Sequence, residues 1–320
     1  MLATPRKIKY IKENYIFISG ATFMNIDPRR GAAFLAAIDS GSLEQAAVLL
    51  HISPSAVSQR IAALEDDLGM PLLVRTRPCR PTAPGMRLLQ FLRRRALLEA
   101  EFVADMASDA GPVKIALAVN NDTLATWLLP VLAPILLAEQ LLVDLVLDNQ
   151  GHTFSLLEQG RAVACIAGAA APMRGCTVAP LGLMRYRMVA APAFVQRYFP
   201  DGIGREAARR APVMVFDHKD LLQKHFLLQH FGLQEGDYPF HFVPASDPFV
   251  HAILAGLGYG MLPLEQCAAR IASGALVDLT PHLYADVPLY WHAWQIQPVR
   301  LERMGAQLIA AARGVLLPIG

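Results

Sequence analysis

Three helix-start signals in close succession constrain the N-terminal part of this chain more than any other feature. Asp27-Pro28 and Ser53-Pro54 each place a capping side chain before a proline at the first helical position. Between them, Ser42-Leu-Glu-Gln45 has the spacing of a capping box. Gly41 and Gly69 follow the first and third segments, where glycine commonly ends a helix. The sequence therefore predicts three short helices, joined by tight turns, within residues 27–69.

The third of these helices, residues 53–69, has an apolar face and an opposite face of small polar residues. Two short helices joined by a tight turn, with short polar side chains exposed at the start of the second, are typical of a helix-turn-helix. Short side chains let a helix enter the DNA major groove, and Gln59 can both donate and accept toward base edges. An ordinary solvated face is the alternative. The residues of this helix predicted to contact DNA are Ser53, Pro54, Ser55, Ser58, Gln59 and Arg60.

An arginine-rich segment follows the third helix. A strand-like stretch, Leu72–Thr76, precedes a turn at residues 77–81, which predicts a short hairpin, or wing, carrying Arg75, Arg77 and Arg80. Seven arginines and no acidic residue lie between Met70 and Leu98. Such a basic surface on a near-neutral protein favours phosphate or minor-groove contacts, and a solvated charged face is the alternative.

A long helix is predicted from Thr82 to about Met106. We expect it to pair with its copy in a second subunit, and an ordinary amphipathic surface helix is the alternative. Its apolar residues are Leu88, Leu89, Leu92, Leu97, Leu98 and Phe102. Residues 1–23 show little helical pattern. We interpret them as an N-terminal extension that is either a disordered arm or a segment upstream of the natural start, and the sequence leaves both open.

Composition sets broad limits on the class of protein. The 320 residues are 54% hydrophobic with a net charge of +2, enough for a sizeable core but no sign by itself of nucleic-acid binding. Four scattered cysteines without a CxxC pair favour free thiols in a reducing compartment. The longest uncharged run, Thr123–Ala138, falls short of a membrane span and contains Pro130 and Pro134. We expect a soluble cytoplasmic protein with no membrane association.

Beyond Ala110-Gly111-Pro112, strand and helix signals alternate, which predicts an α/β sheet with ligand sites at strand C-termini. The predicted strands are 113–119, 141–147, 163–167, 185–190, 213–217, 240–243, 260–262, 276–279 and 289–296. The first predicted helix begins near residue 123. Further helices are predicted at 153–159, 193–198, 220–231, 249–255 and 265–272, and a closing helix follows the last strand.

Residues 46–85, AAVLLHISPSAVSQRIAALEDDLGMPLLVRTRPCRPTAPG, resemble the fingerprint of the LysR-type transcriptional regulators. That fingerprint combines a helix-turn-helix, a hydrophobic-Val-Arg strand, a wing, and Thr-x-x-Gly at the start of the linker helix. Within the family, the chain is similar to the ArgP/LysG branch, the regulators of arginine and lysine export. The matching segments are PLLVRT, LAVNNDTLATWLLP, APVMVFDHKD, LVDLTP and LYWHAW.

The resemblance implies an α+β multidomain protein: a winged helix-turn-helix at 24–82, a linker and dimerisation helix at 83–110, and a two-lobed α/β effector domain at 111–320 like a periplasmic binding protein. We expect lobe one at 112–185 and 264–320, and lobe two at 186–263. The implied partners are double-stranded promoter DNA, RNA polymerase, a lysine or arginine effector, and further copies of the chain as a dimer or tetramer. No other cofactor is expected.

Effector-binding residues are expected where strands end and helices begin, because helix N-termini suit a ligand carboxylate and acidic side chains suit its cations. The candidates are Thr123, Thr126, Asp148, Asp217, His218, Ser246 and Asp247. Asp122 is interpreted as an ordinary N-cap, and Trp127, Trp291 and His292 as cleft wall or core. Pro248 departs from the branch pattern, so the ligand geometry stays open.

Other function classes receive less support. HExxH, GxSxG and Walker A motifs are missing from the sequence, and the nine histidines lack metal-ligand spacing, so neither an enzyme nor a metal site is expected. A solute-binding protein would need a signal peptide and no helix-turn-helix. The remaining alternative is a regulator of the same family that responds to a different effector.

Overall fold

A computed structural model describes residues 15–18, 21–24, 26–106, 112–148 and 153–319. The chain divides into two compact units, Met1–Leu97 and Leu98–Gly320. The domain boundary expected near residue 110 falls among residues 107–111, which lie outside the described ranges. The division between the two compact units comes earlier, after Leu97, inside a long helix.

The N-terminal extension contains a short hairpin. Strands β1 (Tyr15–Ile18) and β2 (Ala21–Met24) pair in antiparallel register, with Tyr15 opposite Met24. Residues 1–23 were interpreted as a disordered arm or a segment upstream of the natural start, and the hairpin corrects the disordered-arm interpretation for the seven of them that it contains. Residues 1–14, 19, 20 and 25 lie outside the described ranges, so the disordered-arm interpretation stays a prediction for them.

The first unit contains the predicted three helices, a wing and the start of a long helix. Their bounds are α1 Pro28–Ser40, α2 Leu43–Leu50, α3 Pro54–Leu68, β3 Leu73–Val74, β4 Arg80–Pro81 and α4 Ala83–Met106. The Asp27, Ser42 and Ser53 side chains accept hydrogen bonds from backbone N–H groups in the first turns of α1, α2 and α3, which confirms all three predicted caps. Gly41 and Gly69 end α1 and α3 in the left-handed conformation that glycine adopts easily.

The Thr-x-x-Gly segment joins the wing to α4 by close backbone contact. Thr82 donates its hydroxyl hydrogen to the Pro71 carbonyl at 2.7 Å and accepts the Gly85 N–H at 3.1 Å. A Cβ at Gly85 would lie 2.0 Å from the Leu72 carbonyl oxygen, so only glycine fits there. The Glu65 carboxylate of α3 accepts the N–H groups of Leu72 and Leu73 at 2.7 and 3.1 Å. The wing is therefore tied to both α3 and α4.

The α4 helix changes character along its length. Leu88, Leu89 and Leu92 are buried in the core of the first unit, although the apolar residues of this helix were expected to pair with a second subunit. Farther along, Phe102 is 65% exposed and Met106 is 73% exposed. The first half of α4 thus belongs to a globular core, and the apolar residues of the second half remain uncovered in a single chain.

The second unit alternates strands and helices as predicted, with several changed bounds. Its strands are β5 Val113–Val119, β6 Leu141–Leu147, β7 Ala164–Ala167, β8 Cys176–Ala190, β9 Val213–Val215, β10 Phe240–Phe242, β11 Gly260–Pro263, β12 Val277–Asp278 and β13 Ala285–Trp294. Its helices are α5 Asn121–Thr123, α6 Leu129–Ala138, α7 Thr153–Glu158, α8 Pro192–Tyr198, α9 Arg205–Arg210, α10 Leu222–Phe231, α11 Ser246–Leu254, α12 Leu264–Ala272 and α13 Val299–Ala312. A π-helical segment, Leu124–Leu128, joins α5 to α6, and α9 was not predicted.

Two long antiparallel strands, β8 and β13, run through both lobes of this unit. The C-terminal half of β8 and the N-terminal half of β13 form lobe two together with β11 and β12. Their other halves join β7, β5 and β6 in lobe one. The prediction of residues 185–190 for β8 was therefore too short, because the strand begins at Cys176. Continuous strands across both lobes place the ends of β5 and β9 on either side of one cleft.

The two crossing strands are irregular where the lobes meet. Their register shifts between Leu289 and Tyr290, opposite Gly182 and Pro180. Gly182 has φ of 154°, and a Cβ there would lie 2.4 Å from the Cβ of Leu316. Near the C-terminus, Leu317 accepts the Leu183 N–H at 2.7 Å. The bulge and the glycine therefore allow the crossing strands to bend beside the C-terminal segment.

One expected lobe boundary differs from the structure. The sequence analysis assigned residues from 264 onward to lobe one, yet Cys267, Leu276 and Ile271 pack with Met214 and Phe249 in the core of lobe two. Strand β12 also pairs with the lobe-two half of β8. Helix α12 and strand β12 therefore belong to lobe two, and the chain returns to lobe one along β13.

The apolar run Asn121–Ala138 forms one continuous helical stretch of 18 residues, long and apolar enough by length and composition to cross a membrane. The shorter uncharged run within it, Thr123–Ala138, was predicted to fall short of a membrane span. Its Trp127, Leu128 and Leu132 side chains are buried in the protein, while Leu129 and Leu137 are exposed. Because core helices of folded domains meet the same criterion, this stretch is a weak indicator of a membrane span.

Candidate nucleic-acid interface and ligand cavity

The leading end of α3 presents the predicted polar surface. Ser53 is the N-cap, and its hydroxyl accepts the Ala56 N–H at 3.2 Å and lies 2.9 Å from the Ser55 hydroxyl. Gln59 is exposed, and its side chain makes no hydrogen bond within the described ranges, so both of its polar groups face outward. Val57, Ile61 and Leu64 occupy the buried face of the same helix. The face opposite the core is therefore free of bulky side chains at its start.

The wing places its arginines beside this surface. Arg75 donates to the Ser58 hydroxyl at 3.2 Å, which joins the wing to α3. Arg77 pairs with Glu44 of α2 at 2.8 Å, and its side chain remains 83% exposed. Arg80 is exposed, and Arg60 and Ser58 are partly exposed. The structure therefore brings all nine predicted DNA-contacting residues onto α3 and the adjoining wing.

This arrangement separates two kinds of contact that DNA recognition requires. Gln59 and the serines can reach base edges only if α3 enters the major groove, where short side chains permit close approach. The wing arginines extend to the side of α3, a position that suits phosphate contacts or insertion into the minor groove. The Glu44 partner of Arg77 is more than half exposed, so DNA phosphate can replace it at little cost.

The second unit contains a cavity of about 790 Å³ between its two lobes. Lobe one contributes the N-terminal end of α5 and the segment after β7, and lobe two contributes β8, β11 and the segments that lead into α10 and α11. The residues that line it are Asn120, Asn121, Asp122, Phe154, Ala167, Gly168, Ala169, Tyr186, Phe216, Lys219, Asp220, Leu221, Leu222, Gln223, His225, Ser246, Phe249, Met261, Leu262, Pro263, Gln266 and Val287.

Asp122 is the central polar residue of the cavity wall. One of its carboxylate oxygens accepts the Tyr186 hydroxyl hydrogen at 2.8 Å, and the other accepts that of Ser246 at 2.8 Å. Asp122 lies in α5 of lobe one, whereas both donors belong to lobe two. Its expected role as an N-cap is wrong, because the Asn120 side chain caps α5 by accepting the Thr123 N–H. Asp122 instead links the two lobes from the cavity side.

The charge of Asp122 lacks compensation by these partners. Loss of bulk water raises the pKa of its carboxyl, the hydrogen bonds from Ser246 and Tyr186 act in the opposite direction, and Asp220 raises it further. Desolvation, and secondarily Asp122, raises the pKa of Glu265 nearby. The cavity wall is therefore an environment in which an added cation would be stabilised.

Neutral polar groups complete this side of the cavity. Gln266 donates its side-chain N–H to the Ser246 hydroxyl at 3.0 Å, so a chain of hydrogen bonds runs from Gln266 through Ser246 to Asp122. The amide oxygen of Gln266 is buried and has no hydrogen-bond partner within the described ranges. A buried acceptor of this kind costs free energy unless a ligand or water donates to it. Gln266 can therefore accept a hydrogen bond from a ligand in the cavity.

Of the seven predicted effector-binding residues, Ser246 lies on the cavity wall. Thr123 is buried, and its hydroxyl has no partner within the described ranges, while Thr126 donates back to the Asp122 carbonyl at 2.6 Å. Asp148 pairs with Lys219 at 3.7 Å. Asp217 accepts the Lys219 N–H, His218 packs against Phe242, and Asp247 is exposed on α11. None of these six residues lines the cavity.

Several cavity residues were missed by sequence reasoning. Asp220 receives the N–H groups of Phe216 and Leu222 and also faces the cavity, a double role that a loop position does not reveal. Tyr186 lies on a strand and carried no signal of its own. The segment FDHKD, residues 216–220, was singled out, and its Lys219 and Asp220 line the cavity in place of Asp217 and His218. Trp127, Trp291 and His292 are buried in the core.

Metal binding finds no support in the described ranges, where His, Cys, Asp and Glu side chains form no group of three or more placed to hold an ion. The four cysteines are free thiols, and three of them are buried.

Comparison with known proteins identifies relatives over nearly the whole chain. Residues 29–86 match the family model for the bacterial regulatory helix-turn-helix protein, lysR family. The HTH-type transcriptional regulator ArgP of Aeromonas salmonicida is 38% identical over 285 residues, which cover 88% of this chain and 95% of that protein.

Two solved structures are similar across both units. The ArgP structure from Mycobacterium tuberculosis has a TM-score of 0.80 and 37% identity, covering 92% of this chain and 100% of that one. Full-length LysG from Corynebacterium glutamicum with bound effector Arg has a TM-score of 0.75 and 34% identity, with the same coverage. The predicted winged helix-turn-helix and two-lobed α/β fold are thereby confirmed.

Proposed function

Because this chain belongs to the LysR-type transcriptional regulators, in the ArgP branch, we propose that it is controlled by a basic amino acid, arginine or lysine, bound in the cavity between its lobes. The Aeromonas relative is named a transcriptional regulator rather than an enzyme, in agreement with the sequence analysis. The Corynebacterium relative was solved with arginine as its effector. The cavity of the present chain has the charge and the polar groups that such a ligand needs.

The observation that carries the proposal is the Asp122 carboxylate. It lies deep between the lobes and receives hydrogen bonds from two hydroxyl groups, while its charged neighbours Asp220 and Glu265 are also acidic. An ammonium or guanidinium group beside Asp122 would offset this concentration of negative charge. Such charge-assisted hydrogen bonds are stronger inside a protein than in water, because the local dielectric screens them less.

Ligand binding at this position would act on both lobes together. Asp122 belongs to lobe one, and Ser246 and Tyr186 belong to lobe two, so a ligand that contacts Asp122 alters bonds that join the lobes. The bulge at Leu289 and the glycine at Gly182 give the crossing strands a place to bend. A ligand shifts the equilibrium between lobe arrangements only as far as it binds one of them more tightly.

Promoter DNA is the proposed macromolecular ligand of the first unit. Gln59, Ser55 and Ser58 would approach bases, and Arg75, Arg77 and Arg80 would contact the backbone. In a dimer, two copies of α3 would reach half-sites about 34 Å apart, or a multiple of that distance. The exposed apolar residues of the second half of α4, such as Phe102 and Met106, are proposed to meet their copies in a second chain, as a dimer or as part of a tetramer.

One contact fixes the end of α4 within the second unit. The Glu101 carboxylate accepts the N–H groups of Val299 and Arg300 at 3.3 and 3.1 Å, so it caps the start of α13. A change in the lobes is therefore proposed to reach α4 through α13. RNA polymerase as a partner and the cytoplasm as the location follow from a role in transcription and are part of the same proposal.

Calorimetric titration of the full-length protein with arginine, lysine and neutral amino acids tests the effector assignment. Saturable binding of arginine or lysine, with no heat from leucine or glutamine, is the expected result. Absence of binding to both basic amino acids would refute it. A regulator of the same family with a different effector would then be the better description, and the cavity size and its apolar wall, which includes Phe154 and Phe216, leave room for one.

A further inference from the structure

Acidic side chains outnumber basic ones among the charged residues of the cavity wall. Two acidic side chains, Asp122 and Asp220, and one lysine, Lys219, line the cavity in the described part of the chain. Asp122 and Lys219 come from different lobes, since the first lies in α5 and the second follows β9. A ligand that contacts both residues would therefore span the cleft.

This set of charges matches one class of ligand. A basic amino acid carries two cationic groups, the α-ammonium and the side-chain cation, and a single carboxylate. We propose that Lys219 binds the α-carboxylate of the effector and so determines specificity for a basic amino acid over the corresponding decarboxylated amine. The inference rests on the proposed function, because it assumes that a basic amino acid occupies the cavity.

The present contact of Lys219 shows that its ammonium can face a carboxylate here. The Nζ atom lies 3.7 Å from the carboxylate of Asp148, which follows β6 in lobe one. That separation is longer than a hydrogen bond, and the Lys219 side chain is 54% exposed. A loose, solvated ion pair contributes little stability, so exchange of Asp148 for a ligand carboxylate has a small cost.

The backbone around Lys219 is held more firmly than its side chain. Its N–H donates to the Asp217 carboxylate at 2.7 Å, and the next residue, Asp220, accepts the N–H groups of Phe216 and Leu222. These bonds fix the loop that enters α10, while the four-carbon side chain of Lys219 keeps its rotational freedom. A fixed base with a mobile cation suits recognition of a carboxylate that arrives with the ligand.

Decarboxylated amines test this role because they keep both cations and lack the carboxylate. Agmatine is the decarboxylated form of arginine, and cadaverine is that of lysine. Asp122 and Asp220 would attract each amine at least as strongly as its parent amino acid, because only the parent carries a carboxylate, so the acids alone cannot favour the amino acid. Lys219 supplies the missing discrimination, since its ammonium can pair with the carboxylate of the amino acid and finds no such group in the amine.

A matched set of variants isolates the effect. Lys219→Met removes the ammonium, Lys219→Arg keeps a cation at the same position, and Lys224→Met makes the same change of charge outside the cavity. Lys224 suits this purpose because its ammonium pairs with Glu235 at 2.8 Å and does not line the cavity. Each full-length variant is titrated by calorimetry with L-arginine and with agmatine.

The wild type and Lys224→Met are expected to bind arginine roughly ten- to one-hundredfold more tightly than agmatine, the ratio typical of one charged hydrogen bond. Lys219→Met is expected to lose most of this preference for arginine over agmatine, because it binds arginine more weakly while its agmatine binding is unchanged or tighter. Lys219→Arg is expected to retain much of the preference. An unaltered ratio in Lys219→Met, or an equal loss for both ligands, would overturn the inference. If the wild type binds neither arginine nor lysine, the proposed function itself has failed.

Discussion

Tyr186 of lobe two donates its hydroxyl hydrogen to the Asp122 carboxylate of lobe one at 2.8 Å. The two residues are 64 positions apart in the chain, and each is unremarkable in the sequence. Together with Ser246, they join the two lobes at the wall of the cavity where the proposed ligand binds. The properties of Asp122 therefore link the stability of the effector domain to its ligand.

Tyr186→Phe is expected to destabilise the protein by about 1.5–3 kcal/mol at neutral pH, because it removes a donor to a desolvated carboxylate. The pKa of Asp122 is raised in the folded protein, so its ionisation opposes folding, and stability from this group declines as pH rises through that pKa. The cost of Tyr186→Phe should therefore be larger above the raised pKa than below it. Urea denaturation at several pH values measures both effects.

Tyr238→Phe is the matched control for this variant. The Tyr238 hydroxyl is buried and has no hydrogen-bond partner in the part of the chain that the structure describes. Its loss should leave stability nearly unchanged or slightly improved. Equal effects of the two substitutions would contradict the role given to the Tyr186 hydroxyl.

Gly85→Ala is expected to destabilise the first unit severely, by about 3 kcal/mol or more, because its Cβ would overlap the Leu72 carbonyl oxygen. Thermal unfolding, followed by circular dichroism, measures the change. Gly204→Ala provides the comparison, since nothing lies within 4 Å of a Cβ there. A Gly85→Ala protein as stable as Gly204→Ala would show that the wing does not pack against α4 as described.

Gln59→Ala is expected to lower affinity for the operator by about 1–3 kcal/mol while leaving affinity for random DNA nearly unchanged, because Gln59 is proposed to contact base edges. Fluorescence anisotropy with both DNAs, at one fixed salt concentration, measures the difference. Gln307→Ala, a glutamine of the second unit that pairs with Glu139, is a suitable control. If operator and random DNA lose affinity equally, Gln59 makes no base-specific contact.

Arg77→Ala is expected to weaken binding to every DNA sequence and to reduce the slope of log affinity against log salt by about one unit, as for a lost phosphate contact. Affinities measured between low and moderate salt give this slope. Arg303→Ala removes one positive charge from the second unit, where Arg303 pairs with Glu139, and should leave the slope unchanged. A wild-type slope in Arg77→Ala would exclude phosphate contact by this residue.

The sequence was sufficient wherever structure depends on near neighbours. Asp27, Ser42 and Ser53 cap helices through backbone N–H groups within three residues, so their roles follow from local spacing. The same holds for Gly69, which ends α3. The polar leading end of α3 is accordingly positioned on the helix as predicted.

Long-range contacts account for what was missed. Asp122 occupies a position that suits a cap, and its actual partners, Tyr186 and Ser246, are 64 and 124 residues away. The length of β8 depends on pairing with β13, about 100 residues later. Asp217 and Asp220 are aspartates in the same loop, and the conformation of that loop decides which one faces the cavity. Single-sequence patterns carry no information on such choices.

The central proposal is that Asp122 receives the cation of the effector. Calorimetric titration of Asp122→Asn and Asp247→Asn with arginine tests it directly, because Asp247 is exposed on α11 and does not line the cavity. Asp122→Asn should bind arginine at least about tenfold more weakly than wild type, as expected for a lost charged partner, and Asp247→Asn should bind it normally. Wild-type affinity should also fall on acidification through the raised pKa of Asp122, whereas Asp122→Asn lacks that dependence. Arginine binding by Asp122→Asn with the affinity of the wild type would contradict the account.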